Sequence, residues 1–193
     1  MTLILASSSP IRRAMLEAAG VTFDVDAAAI DEQAYKRDSA EPGAIALELA
    51  EAKALAVSAT RPGAWVIGSD SMVSIGGHRF DKPASRDQAA EHLRFFSGKA
   101  MDLTSAAAIA RDGIIDWRQG DSARLQVRSL SDAFIAQYLD AEWPEIGYCV
   151  GVFRLEGRGV QLFDTIEGSH FTVLGMPLLP LLQALRTRGL APA

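Results

Sequence analysis

The chain has 193 residues, of which 49% are hydrophobic and 22% charged, a balance typical of a soluble globular protein. Its 19 Lys and Arg against 24 Asp and Glu give a formal net charge of -5, so nucleic-acid binding is not expected. The single cysteine, Cys149, cannot form an internal disulfide, and no Cys and His group has zinc-site spacing. The N-terminal apolar run is too short for a signal peptide or membrane span, and we expect a cytosolic protein without membrane contact.

The first elements predicted are a strand, a helix and a second strand. Residues 2–6 are apolar, and the Ser-Ser-Ser-Pro sequence at 7–10 supplies hydroxyls that cap a helix and a proline that suits its first turn. Gly20 is a suitable C-terminal cap for this helix. Residues 21–25 form the second predicted strand.

The middle of the chain predicts two helices with extended segments between them. Residues 42–59 have apolar side chains at helical spacing, which indicates a long helix. Residues 64–68 form a strand that leaves the sheet at Asp70, and an extended pattern resumes at 72–75 before a glycine hairpin. A capping box opens another helix at 85–96.

The rest of the chain predicts strands and helices in mixed order. Residues 101–110 and 114–127 flank an Asp-Gly turn and indicate an antiparallel pair. A capped helix at 132–141, a strand at 160–166 and a helix at 177–189 follow. Alternating and hairpin order together predict a mixed α/β fold with a mixed sheet.

The first candidate for chemistry is the Ser-Ser-Ser-Pro-Ile-Arg-Arg sequence at the first strand-to-helix junction. The Ser7 hydroxyl, the Arg12 and Arg13 guanidiniums and the free backbone N–H groups of the helix start suit a phosphate. A plain helix cap followed by a solvated basic turn explains the same residues equally well. No Walker loop or complete dinucleotide fingerprint occurs in the sequence.

The second candidate is a set of charged residues spread along the chain. Asp70 follows an apolar strand, where a carboxylate can hold a hard cation or take a proton from water; a turn-forming Asp is the alternative. Glu32 belongs to an acidic pair that also fits a loop cap, and Lys53 and Lys82 each fit a solvated surface. Together, these residues suit metal-assisted chemistry on a polyphosphate.

Several short motifs occur in an order that covers nearly the whole chain. They are Leu-Ala-Ser-Ser-Ser-Pro-Ile-Arg-Arg at 5–13, Asp-Glu at 31–32, Ala-Glu-Ala-Lys-Ala at 50–54, Gly-Ser-Asp at 68–70, Lys-Pro at 82–83, Ser-Gly at 97–98, Gly-Ser at 168–169 and Leu-Gly-Met-Pro-Leu at 174–178. In these motifs the chain resembles the Maf-like nucleoside triphosphate pyrophosphatases, once named for septum formation inhibition.

The resemblance implies a fold like that of inosine triphosphate pyrophosphatases, with a long mixed sheet and a cleft between two α/β lobes, in a single domain over residues 1–193. It also implies a homodimer that hydrolyses a modified or non-standard nucleoside triphosphate to the monophosphate and pyrophosphate, with Mg²⁺ or Mn²⁺ as cofactor. A regulator of septum formation that binds nucleotide without turning it over is the alternative.

The resemblance also assigns roles to individual residues. Asp70 matches the family's proton acceptor, and Glu32 matches an acidic residue that assists the metal alongside Asp70. The phosphate-binding positions match Ser7, Arg12, Lys53 and Lys82.

Three positions depart from the family branch that acts on dTTP and UTP. This chain has Ile11 in place of an Arg, Ser71 in place of a Thr and Glu156 in place of a Gln. The surroundings of Glu156 look closer to the branch that hydrolyses 7-methyl-GTP. A carboxylate there could accept hydrogen bonds from the N1–H and amino group of guanine, whereas Ile11 and Ser71 match neither branch, so the base remains open.

Overall fold

The computed structural model of the chain describes residues 1–36 and 41–192. The strands in these residues are β1 (Leu3–Leu5), β2 (Asp24–Val25), β3 (Trp65–Ile75), β4 (His78–Phe80), β5 (Ala100–Arg111), β6 (Ile114–Val127) and β7 (Phe163–Glu167). The helices are α1 (Pro10–Ala18), α2 (Pro42–Ser58), α3 (Arg86–Phe96), α4 (Asp132–Glu142), α5 (His170–Val173) and α6 (Leu178–Arg186). Short 3-10 helices cover Glu32–Tyr35, Glu145–Tyr148 and Arg158–Leu162.

The strands form one seven-stranded sheet in the order β2-β1-β3-β5-β6-β7, with β4 paired to β3. Strand β1 pairs in parallel with both β2 and β3, whereas β4 pairs antiparallel with β3 and β7 pairs antiparallel with β6. The mixed α/β fold with a mixed sheet is therefore confirmed.

The chain divides into two compact units, and the single domain remains a prediction. The first unit contains 1–71, 104–122 and 169–193, and the second contains 72–103 and 123–168. Three of the four boundaries between them fall inside β3, β5 and β6, and the fourth follows β7, so three strands contribute residues to both units.

The first unit has an apolar core around β1 and the helices that follow it. Leu5, Leu16, Ile67 and Leu181 are fully buried in this core. Each large aliphatic side chain buried in this way contributes about 1.5–3 kcal/mol. Pro10 lies in the first turn of α1 as expected, but Ser9 at the N-cap makes no side-chain capping bond.

The second unit contains α3 and α4, whose starts follow the capping residues in the sequence. The Ser85 hydroxyl accepts a hydrogen bond from the Gln88 backbone N–H, and the Ser131 hydroxyl accepts one from the Phe134 N–H. An ion pair between Arg94 Nε and Asp132 Oδ1, 2.7 Å apart, joins the two helices. Both N-caps are confirmed, whereas the capping box is only half formed, because the Gln88 side chain accepts from the Ala84 N–H and not from that of Ser85.

The prediction that the chain leaves the sheet at Asp70 is wrong, because β3 runs without a break from Trp65 to Ile75. Its residues are buried on both sides of Asp70, so the strand stays inside the protein where the Ser-Asp-Ser sequence suggested a turn. The last strand starts at Phe163, because the residues before it form a 3-10 helix. Within 1–36 and 41–192, no helix is long and apolar enough to cross a membrane.

Candidate active site

The first unit brings Lys53 together with two carboxylates. Lys53 Nζ lies 2.6 Å from Asp70 Oδ1 and 2.7 Å from Glu32 Oε1. The Lys53 and Asp70 side chains are each 10% exposed, whereas the Glu32 side chain is 43% exposed. The ion pair of Lys53 with Asp70 is therefore buried, whereas Glu32, which contacts the same ammonium, is accessible to solvent.

Gly68 allows α2 to approach β3 closely enough for this ion pair to form. A Cβ atom on Gly68 would lie 2.0 Å from the Ala50 carbonyl oxygen and 2.6 Å from the Ala54 nitrogen. Ala50 and Ala54 flank Lys53 on α2 and are fully buried. The small residues on both elements thus bring the ammonium of Lys53 to Asp70, two residues after Gly68 on β3.

Arg12 binds residues on both sides of Asp70. Its Nη1 donates to the Ser69 carbonyl oxygen at 3.0 Å, and its Nη2 donates to the Ser71 hydroxyl at 3.0 Å. Its Nε donates to the Gly175 carbonyl oxygen at 2.9 Å, and Nη1 also lies 3.4 Å from the Ser7 hydroxyl. These contacts use four of the five guanidinium N–H groups.

The charged Arg12 guanidinium donates its hydrogen bonds to neutral acceptors: two backbone carbonyls and two serine hydroxyls. Burial lowers the pKa of Arg12 from its ordinary value, and the carboxylates of Asp70 and Glu32 oppose this shift. Arginine remains a cation at neutral pH because its ordinary pKa lies so far above it. Its positive field therefore acts on Asp70 and on any anion that enters.

The other residues of the first junction have different surroundings. Ser7 is buried, and its hydroxyl accepts a hydrogen bond from the Ser9 backbone N–H at 3.3 Å. Arg13 pairs with Glu17 one turn along α1, and its side chain is 61% exposed. These contacts do not bring Arg13 to Asp70. Ile11 is half-buried on the first turn of α1.

The second unit contains Lys82 and Glu156, both exposed, near Cys149. Burial and, to a smaller extent, the Glu156 carboxylate raise the pKa of the Cys149 thiol to about 11. The positive charges of Arg154 and Lys82 act in the opposite direction on the pKa of Cys149. The charges of Lys82 and Glu156 therefore both act on the thiol of Cys149.

Sequence reasoning assigned no role to several polar groups around Arg12 and Ser71. The Ser69 hydroxyl donates to the Ala106 carbonyl oxygen at 2.7 Å, and the Ser71 hydroxyl contacts the Ser105 hydroxyl at 2.9 Å. Gly175, whose φ is +107°, turns its carbonyl oxygen toward Arg12. The glycine in the Leu-Gly-Met-Pro-Leu motif was the one local signal of this contact, because such a φ favours glycine.

The carboxylates of Glu32 and Asp70 fit a divalent cation that also binds phosphate. Both carboxylates point at the same cation-sized position, which the Lys53 ammonium takes. Mg²⁺ is commonly held by one or two carboxylates together with substrate phosphates and water. Within the described residues no group of three or more His, Cys, Asp or Glu is arranged as a metal site, so substrate oxygens would have to complete the coordination.

Comparisons with known proteins agree with the sequence motifs. The profile of the Maf-like protein family matches residues 2–188. The chain is 48% identical to a nucleoside triphosphate pyrophosphatase of Sphingopyxis alaskensis, with 100% of both chains covered. It is 47% identical to a 7-methyl-GTP pyrophosphatase of Rhizobium meliloti, over 97% of this chain and 96% of the relative. The resemblance is confirmed, and the chain belongs to the Maf-like family.

Proposed function

We propose that this protein is a hydrolase that converts a nucleoside triphosphate to the nucleoside monophosphate and pyrophosphate. The observation that carries the proposal is the buried contact of Lys53 with Asp70 and Glu32, at 2.6 and 2.7 Å. A carboxylate held beside an ammonium, in a partly desolvated setting, is equipped to accept a proton next to a polyanion. The names of the Sphingopyxis and Rhizobium relatives support the same reaction.

In the proposed reaction, Asp70 takes a proton from the attacking water. The water oxygen forms a bond to the α-phosphorus, the bond from the α-phosphorus to the bridging oxygen breaks, and its electron pair leaves with pyrophosphate. Lys53 has three N–H donors, and its two carboxylate contacts leave a third for a phosphate oxygen. Lys82, Ser7 and the positive field of Arg12 are further candidates for binding the triphosphate.

A divalent cation, Mg²⁺ or Mn²⁺, is part of this proposal. Glu32 and Asp70 would hold it beside the Lys53 ammonium, with carboxylate oxygens other than the two that contact Lys53. When bound, such a cation supplies charge neutralisation on the phosphate oxygens and so favours attack by water.

We further propose a guanine-type base, with 7-methyl-GTP as the leading candidate. Glu156 is an exposed carboxylate, which accepts hydrogen bonds from paired N–H donors but cannot donate to the acceptor oxygens of uracil or thymine. Once a bound base covers this carboxylate, a polar contact left unpaired costs about 1–3 kcal/mol, so the preference over UTP and dTTP should be roughly 5- to 150-fold in kcat/KM. A Glu156→Gln variant should narrow or reverse this preference; an unchanged ranking would contradict the role of Glu156.

The experiment that tests the reaction is a panel of nucleoside triphosphates with Mg²⁺ or Mn²⁺, with pyrophosphate and orthophosphate measured separately. We expect pyrophosphate as the product and no turnover after chelation. Asp70→Asn should lower turnover by about 100-fold or more, the scale of general-base removal, while Asp87→Asn on the exposed surface of α3 leaves it unchanged. Orthophosphate as the sole product would contradict the proposal, and tight nucleotide binding without turnover would favour a regulator of septum formation.

The homodimer and the cytosolic location expected from the sequence stay predictions. Light scattering of the purified protein checks the first, and fractionation of cells checks the second.

A further inference from the structure

A chain of hydroxyl groups continues from Arg12 through half-buried Ser71 to buried Ser105 and Thr172. The Ser71 hydroxyl accepts from Arg12 Nη2 at 3.0 Å and lies 2.9 Å from the Ser105 hydroxyl. Ser105 lies on β5 and is fully buried, and its hydroxyl donates to the Thr172 carbonyl oxygen at 2.8 Å. Thr172, also fully buried, donates its own hydroxyl to a carboxylate oxygen of Asp121.

The single proton of each hydroxyl fixes the direction of this chain. Ser105 gives its proton to the Thr172 carbonyl oxygen, which can act as an acceptor alone, so Ser105 accepts from Ser71. The Ser71 proton is shared between two acceptors, the Ser105 oxygen at 2.9 Å and the Gly175 carbonyl oxygen at 3.0 Å. The Ser71 oxygen therefore offers its lone pairs to Arg12.

Arg12 and Ser71 act on the residue between them. The guanidinium holds the Ser69 carbonyl on one side of Asp70 and the Ser71 hydroxyl on the other. Since Asp70 is bonded to both of these residues along β3, the clamp fixes the backbone from which the carboxylate extends to Lys53. A hydroxyl on β5 that orients Ser71 therefore affects where the Asp70 carboxylate lies.

We propose that Ser105 is a positioning residue of the hydrolytic site, acting through Ser71 and Arg12 on Asp70. This inference rests on the proposed function, in which Asp70 accepts the proton of water. Ser105 contacts no group assigned to the triphosphate, so its removal should lower kcat and leave KM nearly unchanged. A displacement of the reacting groups by a fraction of an ångström lowers the rate steeply, and we expect a loss of about 10- to 100-fold in kcat.

The experiment is a double-mutant cycle with Ser71→Ala, Ser105→Ala and the double variant, with kcat, KM and Tm measured for each. If Ser105 acts through Ser71, Ser105→Ala will lower kcat in the wild type and change it less than about twofold in the Ser71→Ala background. Ser58→Ala is the matched control, because Ser58 is a buried serine on α2 whose hydroxyl accepts from the Gly113 N–H at 3.0 Å. The control should lower Tm and keep kcat.

A second measurement does not depend on turnover. Hydrogen exchange of the Arg12 Nε–H, followed by nuclear magnetic resonance without substrate, should be faster in Ser105→Ala than in the wild type or Ser58→Ala. Unchanged kcat and unchanged exchange in Ser105→Ala would overturn the positioning role, as would full additivity with Ser71→Ala. A wild-type protein that releases no pyrophosphate would contradict the proposed function, and the exchange rate of Arg12 would then decide whether the clamp exists.

Discussion

Lys53 and Lys82 are both expected to bind phosphate, although their surroundings differ. Lys53 is buried and bonded to two carboxylates, whereas Lys82 is exposed on the second unit. Removing one partner of a buried ion pair leaves the other charge uncompensated, whereas an exposed lysine contributes little to stability.

The substitutions Lys53→Met and Lys82→Met should therefore have different effects on stability and the same effect on substrate binding. We expect Lys53→Met to lower the free energy of unfolding by about 3 kcal/mol and Lys82→Met to change it by less than about 0.5 kcal/mol. Both should raise KM for the triphosphate without changing which base is preferred. Urea unfolding and steady-state kinetics check these results, and an altered base preference would show that the lysine contacts the base.

The environment of Cys149 gives a prediction that is independent of catalysis. Because burial raises the pKa of the thiol to about 11, we expect about 100-fold less thiolate at pH 8 than for a thiol with the ordinary value of 9.0. The thiolate fraction falls as the pKa rises, so Glu156→Gln should speed alkylation by iodoacetamide and Lys82→Met should slow it. Mass spectrometry of the alkylated protein measures these rates. Equal rates in all three proteins would contradict the arrangement of Lys82 and Glu156 around the thiol.

At the scale of elements, the contact of α2 with β3 determines the geometry of the site. Gly68 sits where any side chain would meet the α2 backbone at Ala50 and Ala54. Gly43, by contrast, lies at the start of α2, where an added Cβ would meet Thr104 Cγ2 at an ordinary 3.6 Å.

Gly68→Ala should lower stability by about 1–3 kcal/mol and also lower turnover, because α2 must move and takes Lys53 with it. Gly43→Ala should instead raise stability by about 0.4–1 kcal/mol, since alanine restricts the unfolded chain, and keep turnover. Thermal unfolding and kinetics of the two variants test this contrast. A Gly68→Ala protein with wild-type stability would show that the close approach of α2 is not needed.

Local signals in the sequence predict most elements, whereas the contacts that build the site are long-range. Ser85 and Ser131 mark the starts of α3 and α4 because a cap is a contact between neighbours in the chain. The continuation of β3 through Asp70 could not be predicted, because Ser and Asp are common in turns and the Ser-Asp-Ser sequence gives no local sign that the segment is buried. The contact of Arg12 with Gly175 could not be predicted either, because the two residues are 163 positions apart in the chain.

At the scale of the whole molecule, the net charge of -5 opposes the approach of a polyanionic substrate. We therefore expect binding to depend on local cations and on the proposed divalent ion. Arg12 and Lys53 belong to the first unit and Lys82 to the second, while the expected cleft stays a prediction.

The most direct test of the account is hydrolysis in water labelled with a heavy oxygen isotope, followed by mass spectrometry of both products. If water activated by Asp70 attacks the α-phosphorus, the label will be found in the nucleoside monophosphate and pyrophosphate will carry none. Label in pyrophosphate would show attack at the β-phosphorus, and label in orthophosphate would show attack at the γ-phosphorus. Either of those results would contradict the proposed reaction.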